Sequence, residues 1–238
     1  MVFNEKNCKM IVYIPARSGS KRIKNKNIKL LDGKPLITHV INIAKKLNFI
    51  SDIFVSTDSS KIANICNKQG IETLKLRKKK LSDDNSTFMD LIKFDIPRFS
   101  DYSNDYEILF ILPTAILINK NILLSAYKKY QRVKPNLLIS CEEPSHPIWW
   151  SLELKDSGYL RPLFKNMVGQ NSQNLTKTFI DSGLFYIFNQ KKIEKFQSHK
   201  NLPRLLPFNV KYKYRCDLNT YDDLELLKYK YDMLKKNK

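Results

Sequence analysis

The chain has 238 residues, of which 42% are hydrophobic and 11% aromatic, a composition that excludes a disordered chain and suits one α/β domain. Its formal net charge is +19. We interpret the lysines as spread over solvated faces, because the densest basic run covers only residues 77–80. A nucleic-acid-binding module is the alternative that the charge alone would favour.

The cysteines and the apolar runs indicate the compartment. No apolar run approaches the ~20 residues that a membrane-spanning helix needs, and no long apolar stretch follows the charged residues 1–9. The cysteines lie far apart without a CxxC pair, and the three histidines are equally scattered, so neither a zinc site nor a disulfide framework is indicated. We expect a cytoplasmic protein with no membrane or nucleic-acid partner. The cysteines are Cys8, Cys66, Cys141 and Cys216.

The first half of the chain alternates strand and helix patterns. Apolar residues between Leu36 and Leu47 recur at helical spacing, and Gly70 and Pro97 are expected to end the next two helices. Short connections between these elements predict a mostly parallel sheet with helices on both faces, a Rossmann-like three-layer α/β fold. The predicted strands are residues 9–15, 52–56, 71–76 and 106–112, and the predicted helices are residues 36–47, 60–69 and 87–95.

The second half is less regular. Residues 136–141 and 183–188 are predicted strands, and residues 221–238 form a predicted closing helix with acidic residues at its start and lysines at its end. Residues 144–177 are polar, aromatic and irregular. We expect one domain over residues 1–238 and a small excursion from the sheet at 144–177, which lies at a subunit contact.

A polar loop directly after the first predicted strand combines small residues with fixed positive charge. Small residues let backbone N–H groups approach a phosphate, and cations neutralise it. The carboxyl end of a strand is where open α/β sheets bind ligands. Composition alone leaves open an exposed basic loop without a ligand, and the Walker and GxGxxG patterns are both absent. The small residues are Ser18, Gly19 and Ser20, and the cations are Arg17, Lys21 and Lys26.

This loop resembles the signature A-R-x-x-S-K-x-x-x-x-K-N of the acylneuraminate cytidylyltransferases, the CMP-sugar synthetases for sialic acid-like sugars. Residues 33–36 (GKPL), 55–59 (VSTDS) and 76–84 resemble three further motifs of that family. The fixed positions of the signature are Ala16, Arg17, Ser20, Lys21, Lys26 and Asn27. The resemblance implies the fold of nucleotide-diphospho-sugar transferases.

The C-terminal half is similar to the pseudaminate branch of that family. Residues 145–150 (SHPIWW) resemble its substrate loop, and residues 171–175 (NSQNL) and 181–186 (DSGLFY) resemble its R-S-Q-D-L and D-A-G-Q-F-Y motifs. From the residues alone, Trp149 and Trp150 could instead pack in the core or at an interface, and Gln173 could be an ordinary surface residue.

Three departures from the family pattern stand out. Asn171 replaces the arginine of R-S-Q-D-L, and Asn174 replaces its aspartate. Residues 112–118 (LPTAILI) lose the Gln, the Ser, the second Pro and the Arg of Q-P-T-S-P-L-R. The metal motif D-I-D-T is present as residues 217–220 (DLNT), so that Asn219 offers Mg²⁺ a neutral oxygen where the family has a carboxylate.

The resemblance implies transfer of CMP from CTP to the anomeric hydroxyl of an acidic nonulosonate sugar, pseudaminic acid or a relative, by a homodimer. It implies catalytic roles for Arg17, Lys21 and Asp217, with Mg²⁺ held by Asp217 and Asn219. The implied nucleotide-binding residues are Ala16, Arg17, Ser18, Gly19, Ser20, Lys26, Asn27 and Arg77, and the implied sugar-binding residues are His146, Gln173 and Asp181.

Two alternatives stay open at this stage beside the nucleic-acid-binding module. The sugar could be sialic, legionaminic or 3-deoxy-octulosonic acid, because the substituents are read in the region where the match is poorest. Asn171 and Asn219 leave open an inactive nucleotide-binding homologue.

Overall fold

The structure is a computed structural model that describes residues 10–71, 73–74, 76–78, 81, 88–98, 106–194 and 204–236. Its strands are β1 (Met10–Pro15), β2 (Leu30–Leu31), β3 (Lys34–Pro35), β4 (Asp52–Ser56), β5 (Glu107–Ile111), β6 (Leu137–Glu142), β7 (Leu152–Leu154), β8 (Leu160–Pro162), β9 (Ile180–Asn189) and β10 (Leu205–Asn209). Its helices are α1 (Leu36–Ala44), α2 (Ser60–Asn67), α3 (Phe88–Asp95), α4 (Lys120–Val133), α5 (Gln190–Glu194) and α6 (Tyr221–Lys236).

A six-stranded sheet in the order β10-β6-β9-β5-β1-β4 organises the chain. β1 pairs in parallel with both β4 and β5, and β10 pairs in parallel with β6, whereas β9 runs antiparallel to both of its neighbours. The alternate side chains of β1 enter two separate apolar clusters, one on each face of the sheet. The predicted mostly parallel α/β fold is thereby confirmed.

The central strand β1 is the most deeply buried part of the site's scaffold. Residues 10–14 (MIVYI) are almost completely buried, which explains why this short run has no polar alternation. At its carboxyl end, the Ala16 N–H donates to the Ser56 carbonyl at 2.8 Å, and the chain then leaves the sheet. The polar loop therefore begins at the carboxyl end of β1, as predicted.

Several predicted elements differ from the observed ones. The predicted strand at 71–76 is, in its described residues, one parallel bridge between Val55 and Thr73. The helix α4 and the strands β7, β8 and β10 have no counterpart in the sequence prediction. Residues 9, 87, 237 and 238, at the edges of predicted elements, lie outside the described residues, as does Cys8.

A two-residue turn joins β2 to β3 ahead of α1. Asp32 (φ 49°) and Gly33 (φ 72°) both have positive φ, the backbone that a tight hairpin with a right-handed twist requires. The closing helix α6 packs here: the Tyr231 ring contacts His39 edge-on at 5.3 Å, and the Lys235 ammonium lies 2.9 Å from the Asp32 carboxylate. The closing helix is thus fixed beside the β2–β3 turn and α1.

A fully buried carboxylate, Asp95, ties α3 to the sheet beneath the loop. Its oxygens accept hydrogen bonds from the hydroxyls of Tyr13 and Ser56, both at 2.5 Å, and from Arg98 at 3.1 Å. A buried charge is tolerated only with such partners, because desolvation otherwise costs several kcal/mol. Burial and the neighbouring Asp95 raise the pKa of Tyr13 well above its usual value, so Tyr13 remains a donor.

No helix in the described part of the chain is both long and apolar enough to cross a membrane. The three cysteines that the structure describes, Cys66, Cys141 and Cys216, are buried free thiols.

Candidate active site

A cavity of about 550 Å³ opens at the carboxyl end of β1. Four cations line it, and none of the described residues that line it is acidic. This concentration of positive charge is complementary to a polyphosphate, whose charge it would neutralise. The cations are Arg17, Lys21, Arg22 and Lys26, and the other lining residues are Pro15, Ser20, Asn27, Leu112, Pro113 and Thr114.

Hydrogen bonds from neighbouring segments hold the cationic loop in place. Asp58, which follows β4, accepts from the Ser18 N–H at 2.7 Å and from the Ser18 hydroxyl at 2.8 Å. The buried Asn27 donates its amide to the Arg17 carbonyl at 2.9 Å. These bonds link the two ends of the loop to each other and to the next strand, so the cations are preorganised before any ligand binds.

The small residues of the loop contribute unequally to the cavity. Ser20 lines it, whereas Ser18 is bonded to Asp58 and Ala16 is buried against the sheet. Gly19 is exposed and is not among the lining residues. The nucleotide-binding roles of Ala16, Ser18 and Gly19 therefore remain predictions, for which the geometry offers support of the loop rather than contact with the cavity.

Lys26 connects the cationic cavity to the segment that precedes α6. Its ammonium donates to the Leu218 carbonyl at 2.8 Å, between Asp217 and Asn219. Burial lowers the pKa of Lys26 from its usual value, and the nearby Asp217 carboxylate opposes that shift. A bound polyphosphate would likewise favour the charged ammonium.

A second cavity, of about 490 Å³, shares Leu112 with the first and holds two of the predicted site residues, Asp181 and Asp217. Asp181 accepts from the Gly183 N–H at 2.8 Å and from the Tyr186 hydroxyl at 2.6 Å. Burial, and then the contact with Asp181, raise the pKa of Tyr186, so its hydroxyl stays protonated. The charged residues that line this cavity are Glu142, Asp181, Arg215, Asp217, Asp223 and Lys230.

The turn before α6 brings the two predicted metal ligands together. The Asn219 amide donates to the Asp217 carboxylate, so the two side chains face each other. Asp223 caps the helix by accepting from the backbone N–H groups of Asn219 (2.8 Å) and Thr220 (2.7 Å), which lowers its pKa. This cap fixes the backbone that carries Asp217.

The donor set fits Mg²⁺ only in company with a nucleotide. Within the described residues, no three His, Cys, Asp or Glu side chains lie close enough to form a metal cluster. Mg²⁺ commonly uses one or two carboxylates together with substrate phosphates and waters. Asp217 supplies one such carboxylate, and Asn219 could add its amide oxygen only after its amide turns away from the present hydrogen bond.

Three further predicted site residues, outside the loop and the turn before α6, line neither cavity. Arg77 is 6% exposed and lies close enough to Tyr13 to influence the pKa of that tyrosine. The backbone N–H of Arg77 donates to the Thr57 carbonyl at 2.9 Å. His146 and Gln173 are exposed on the excursion, and neither is among the residues that line the two cavities. The roles of these residues remain predictions.

Sequence reasoning missed five charged residues of the two cavities, among them Asp223 in the first turn of α6. Arg22 could have been found, because it is a cation inside the signature loop. Glu142, Arg215 and Lys230 come from three distant segments with no common spacing. Only the fold brings these three together.

The fold and the cationic cavity define a nucleotide-binding α/β protein. The profile of the family described as Cytidylyltransferase matches residues 11–124. The pseudaminic acid cytidylyltransferase of Campylobacter jejuni serotype O:23/36 is 32% identical over 94% of this chain and 96% of its own length. The chain therefore belongs to the cytidylyltransferase family and is a CTP-dependent nucleotidyltransferase.

Other similar proteins lie in the same group. The N-acylneuraminate cytidylyltransferase of Streptococcus agalactiae serotype V is 31% identical over 90% of this chain and 51% of its own length. Among solved structures, a CMP:2-keto-3-deoxy-manno-octonic acid synthetase complexed with CTP superposes with a TM-score of 0.68 over 96% of this chain and 99% of that one. At 16% identity, that likeness shows the fold alone.

Proposed function

We propose that this enzyme transfers CMP from CTP to the anomeric hydroxyl of an acidic nonulosonate sugar, with pseudaminic acid as the preferred acceptor, and releases pyrophosphate. The observation that carries the proposal is the pair of adjoining cavities. One is lined by four cations and no described acid, and the other contains Asp181 and Asp217. The two pseudaminic acid cytidylyltransferases of Campylobacter jejuni, each 32% identical over 94% of this chain, support the choice of sugar.

In this proposal, the cationic cavity holds the triphosphate. Arg17 and Lys21 neutralise charge that builds on the phosphate oxygens and on the leaving pyrophosphate. Lys26 and Asn27 lie at the wall of the same cavity, where they close over the leaving group or the cytosine. Because phosphoryl transfer needs positioning more than covalent help from the protein, this preorganised loop accounts for most of the catalysis.

The sugar occupies the second cavity, where the Asp181 carboxylate accepts hydrogen bonds from the hydroxyl groups of the sugar. His146 and Gln173, on the exposed excursion, would approach the sugar from outside the cavity. Asp217 and Asn219 would hold one Mg²⁺ together with the triphosphate. When bound, that ion would withdraw charge from the phosphates and lower the pKa of the attacking hydroxyl.

Substrate choice is tested by measuring pyrophosphate release with CTP and a panel of pseudaminic, legionaminic, sialic and 3-deoxy-octulosonic acids. We expect the highest kcat/KM with pseudaminic acid. A higher value with another acid would replace the proposed sugar. CTP binding without pyrophosphate release on any acid would instead identify an inactive nucleotide-binding homologue, the candidate that Asn219 favours.

We further propose that the protein is a homodimer that associates through the excursion. Its hairpin, β7 and β8, carries large apolar side chains in solvent, including Leu154 at 70% and Tyr159 at 78% exposure. An apolar patch of this kind is typical of an interaction surface. The other exposed apolar residues of the excursion are Trp150, Leu152, Leu160, Leu163 and Val168.

Light scattering on the full chain tests the dimer. We expect a dimer at micromolar concentration, and we expect Leu160→Glu to shift it to monomer because the charge would be buried in the interface. Leu30→Glu is the matched control, since Leu30 is 63% exposed on β2, outside the excursion. A wild-type monomer, or equal effects of the two substitutions, would contradict this interface.

The proposed compartment is the cytoplasm, in keeping with the free thiols.

A further inference from the structure

If the proposed function is right, the second cavity must bind the carboxylate of the acidic sugar. A carboxylate that leaves water needs a cationic, hydrogen-bonded partner, because an unpaired buried charge is strongly destabilised. Four acidic residues line this cavity, and they would repel the substrate's carboxylate. The carboxylate is therefore directed towards the cationic side of the cavity.

Two cations line the second cavity in the described part of the chain, Arg215 and Lys230. The Lys230 ammonium is already committed to the protein. It donates to the Tyr212 carbonyl at 3.1 Å and to the Arg215 carbonyl at 2.8 Å, and it lies 3.5 Å from the centre of the Tyr212 ring. Lys230 thus fixes the backbone of residues 212–215 and has little capacity left for a ligand.

Arg215 has donors to spare. Its guanidinium carries five N–H groups, and Nη1 donates to Glu142 at the end of β6. The Arg215 Nε is buried and has no hydrogen-bond partner among the described residues. A buried donor without an acceptor is destabilising, so the protein alone does not fully satisfy this guanidinium.

The surroundings of Arg215 hold it in one orientation. Its side chain is only 14% exposed, Glu142 engages one nitrogen, and the guanidinium carbon lies 5.7 Å from the centre of the Tyr212 ring. A planar fork fixed in this way suits the two oxygens of a carboxylate, which a lysine would meet only as a point charge.

We infer that Arg215 binds the carboxylate of the acidic sugar and that Glu142 positions its guanidinium. This role determines specificity: it selects sugars that carry an acid group beside the reacting anomeric carbon. It leaves the recognition of the triphosphate to the separate cationic cavity around Lys21.

Steady-state kinetics on the full chain test this assignment. We expect Arg215→Met to raise the KM for pseudaminic acid about 10- to 100-fold, the range for a hydrogen bond to a charged group, with the KM for CTP unchanged. Arg215→Lys is expected to restore only part of the loss, because it keeps the charge without the fork. The matched control is Arg132→Met, which removes the same charge from an exposed position near the end of α4.

A substrate analogue separates recognition of the carboxylate from a general defect. Pseudaminic acid carboxamide, used as a competitive inhibitor, is expected to bind wild type about 10-fold or more weakly than the acid itself. Arg215→Met is expected to bind the acid and the amide equally, because the group that tells them apart is gone. Thermal melting and CTP binding check that each variant is folded. If Arg215→Met does not fold, the comparison of acid and amide is made with Arg215→Lys.

The outcomes distinguish the assignment from the function on which it rests. Arg215 does not bind the carboxylate if wild type is active and the variants have the same KM for the sugar as wild type. The same conclusion follows if the variants discriminate the acid from the amide as wild type does. If wild type releases no pyrophosphate with any sugar acid, the proposed function fails and takes this assignment with it.

Discussion

Lys21→Ala is expected to lower turnover by on the order of 100-fold or more while leaving the melting temperature within a few degrees of wild type. Lys21 lines the cationic cavity from an exposed position in the loop after β1. Truncation there removes a charge that faces the triphosphate in the proposed function, and it disturbs no buried packing. Pyrophosphate release and thermal melting, measured on the same sample, test this expectation.

Lys24→Ala is the matched control for this substitution. Lys24 is exposed in the same loop, but it lines a separate cavity beside Lys29 and Tyr221. Its loss is expected to change turnover less than about threefold, because only general electrostatic attraction is reduced. Equal losses for the two variants, or a fall in melting temperature that explains the lost activity of Lys21→Ala, would contradict the assignment.

Asp217→Asn is expected to nearly abolish turnover, and Asn219→Asp is expected to lower the Mg²⁺ concentration for half-maximal activity. Asp217 is the carboxylate that faces both the second cavity and the Asn219 amide. A second carboxylate at position 219 adds charge toward a divalent ion that prefers hard, charged oxygens. The measurement is a Mg²⁺ titration of initial rates for wild type and both variants.

Stability gives a second readout for this pair. Without metal, the two carboxylates of Asn219→Asp would repel each other at the point where an amide now donates a hydrogen bond. We therefore expect Asn219→Asp to melt lower than wild type in a chelator and to recover when Mg²⁺ and CTP are added. A site adapted to the neutral residue would show normal activity only at high Mg²⁺.

Asp222→Asn provides the control, since Asp222 is exposed in the first turn of α6 and does not line either cavity. Its Mg²⁺ titration is expected to match that of wild type. If the titrations of Asp217→Asn and Asn219→Asp also superimpose on wild type, neither residue lies near the metal.

The first half of the fold was predictable because its signals are local. Residues 10–14 are a buried apolar run, and the helices α1 and α2 carry their apolar residues at helical spacing, so burial and periodicity agree. The same local signals were present in α4, where Leu123, Tyr127 and Tyr130 are buried on one face and Asn119 caps the start. The local signals of α4 therefore match those of α1 and α2, although the sequence prediction did not include this helix.

The second half was harder to predict because its order depends on distant partners. The antiparallel direction of β9 follows from the route of the chain, which no local pattern in residues 180–189 reveals. The strand β10 contains Pro207, and among the described strands it pairs only with β6, as an edge strand that tolerates a proline. Its sequence alone therefore argues against a strand.

The two cavities of the site differ in the same way, in that one depends on local sequence and the other on distant segments. The cationic loop is contiguous in sequence, so a motif could identify Arg17, Lys21 and Lys26. The second cavity is built from the end of β6, the start of β9, residues 212–217 and one face of α6, and Arg215 and Glu142 meet there only after folding. The specificity of such a cavity is a property of the tertiary structure rather than of a motif.

The most direct test of the central claim is to follow the phosphates of CTP. CTP labelled at the α-phosphate, and separately at the γ-phosphate, is incubated with the enzyme, pseudaminic acid and Mg²⁺. Nucleotidyl transfer predicts that the α label appears in a CMP-sugar and the γ label in pyrophosphate, with both formed on the order of 100-fold or more slowly by Lys21→Ala. Transfer of the γ label to the sugar, its release as orthophosphate, or an α label that remains in CTP would contradict the account.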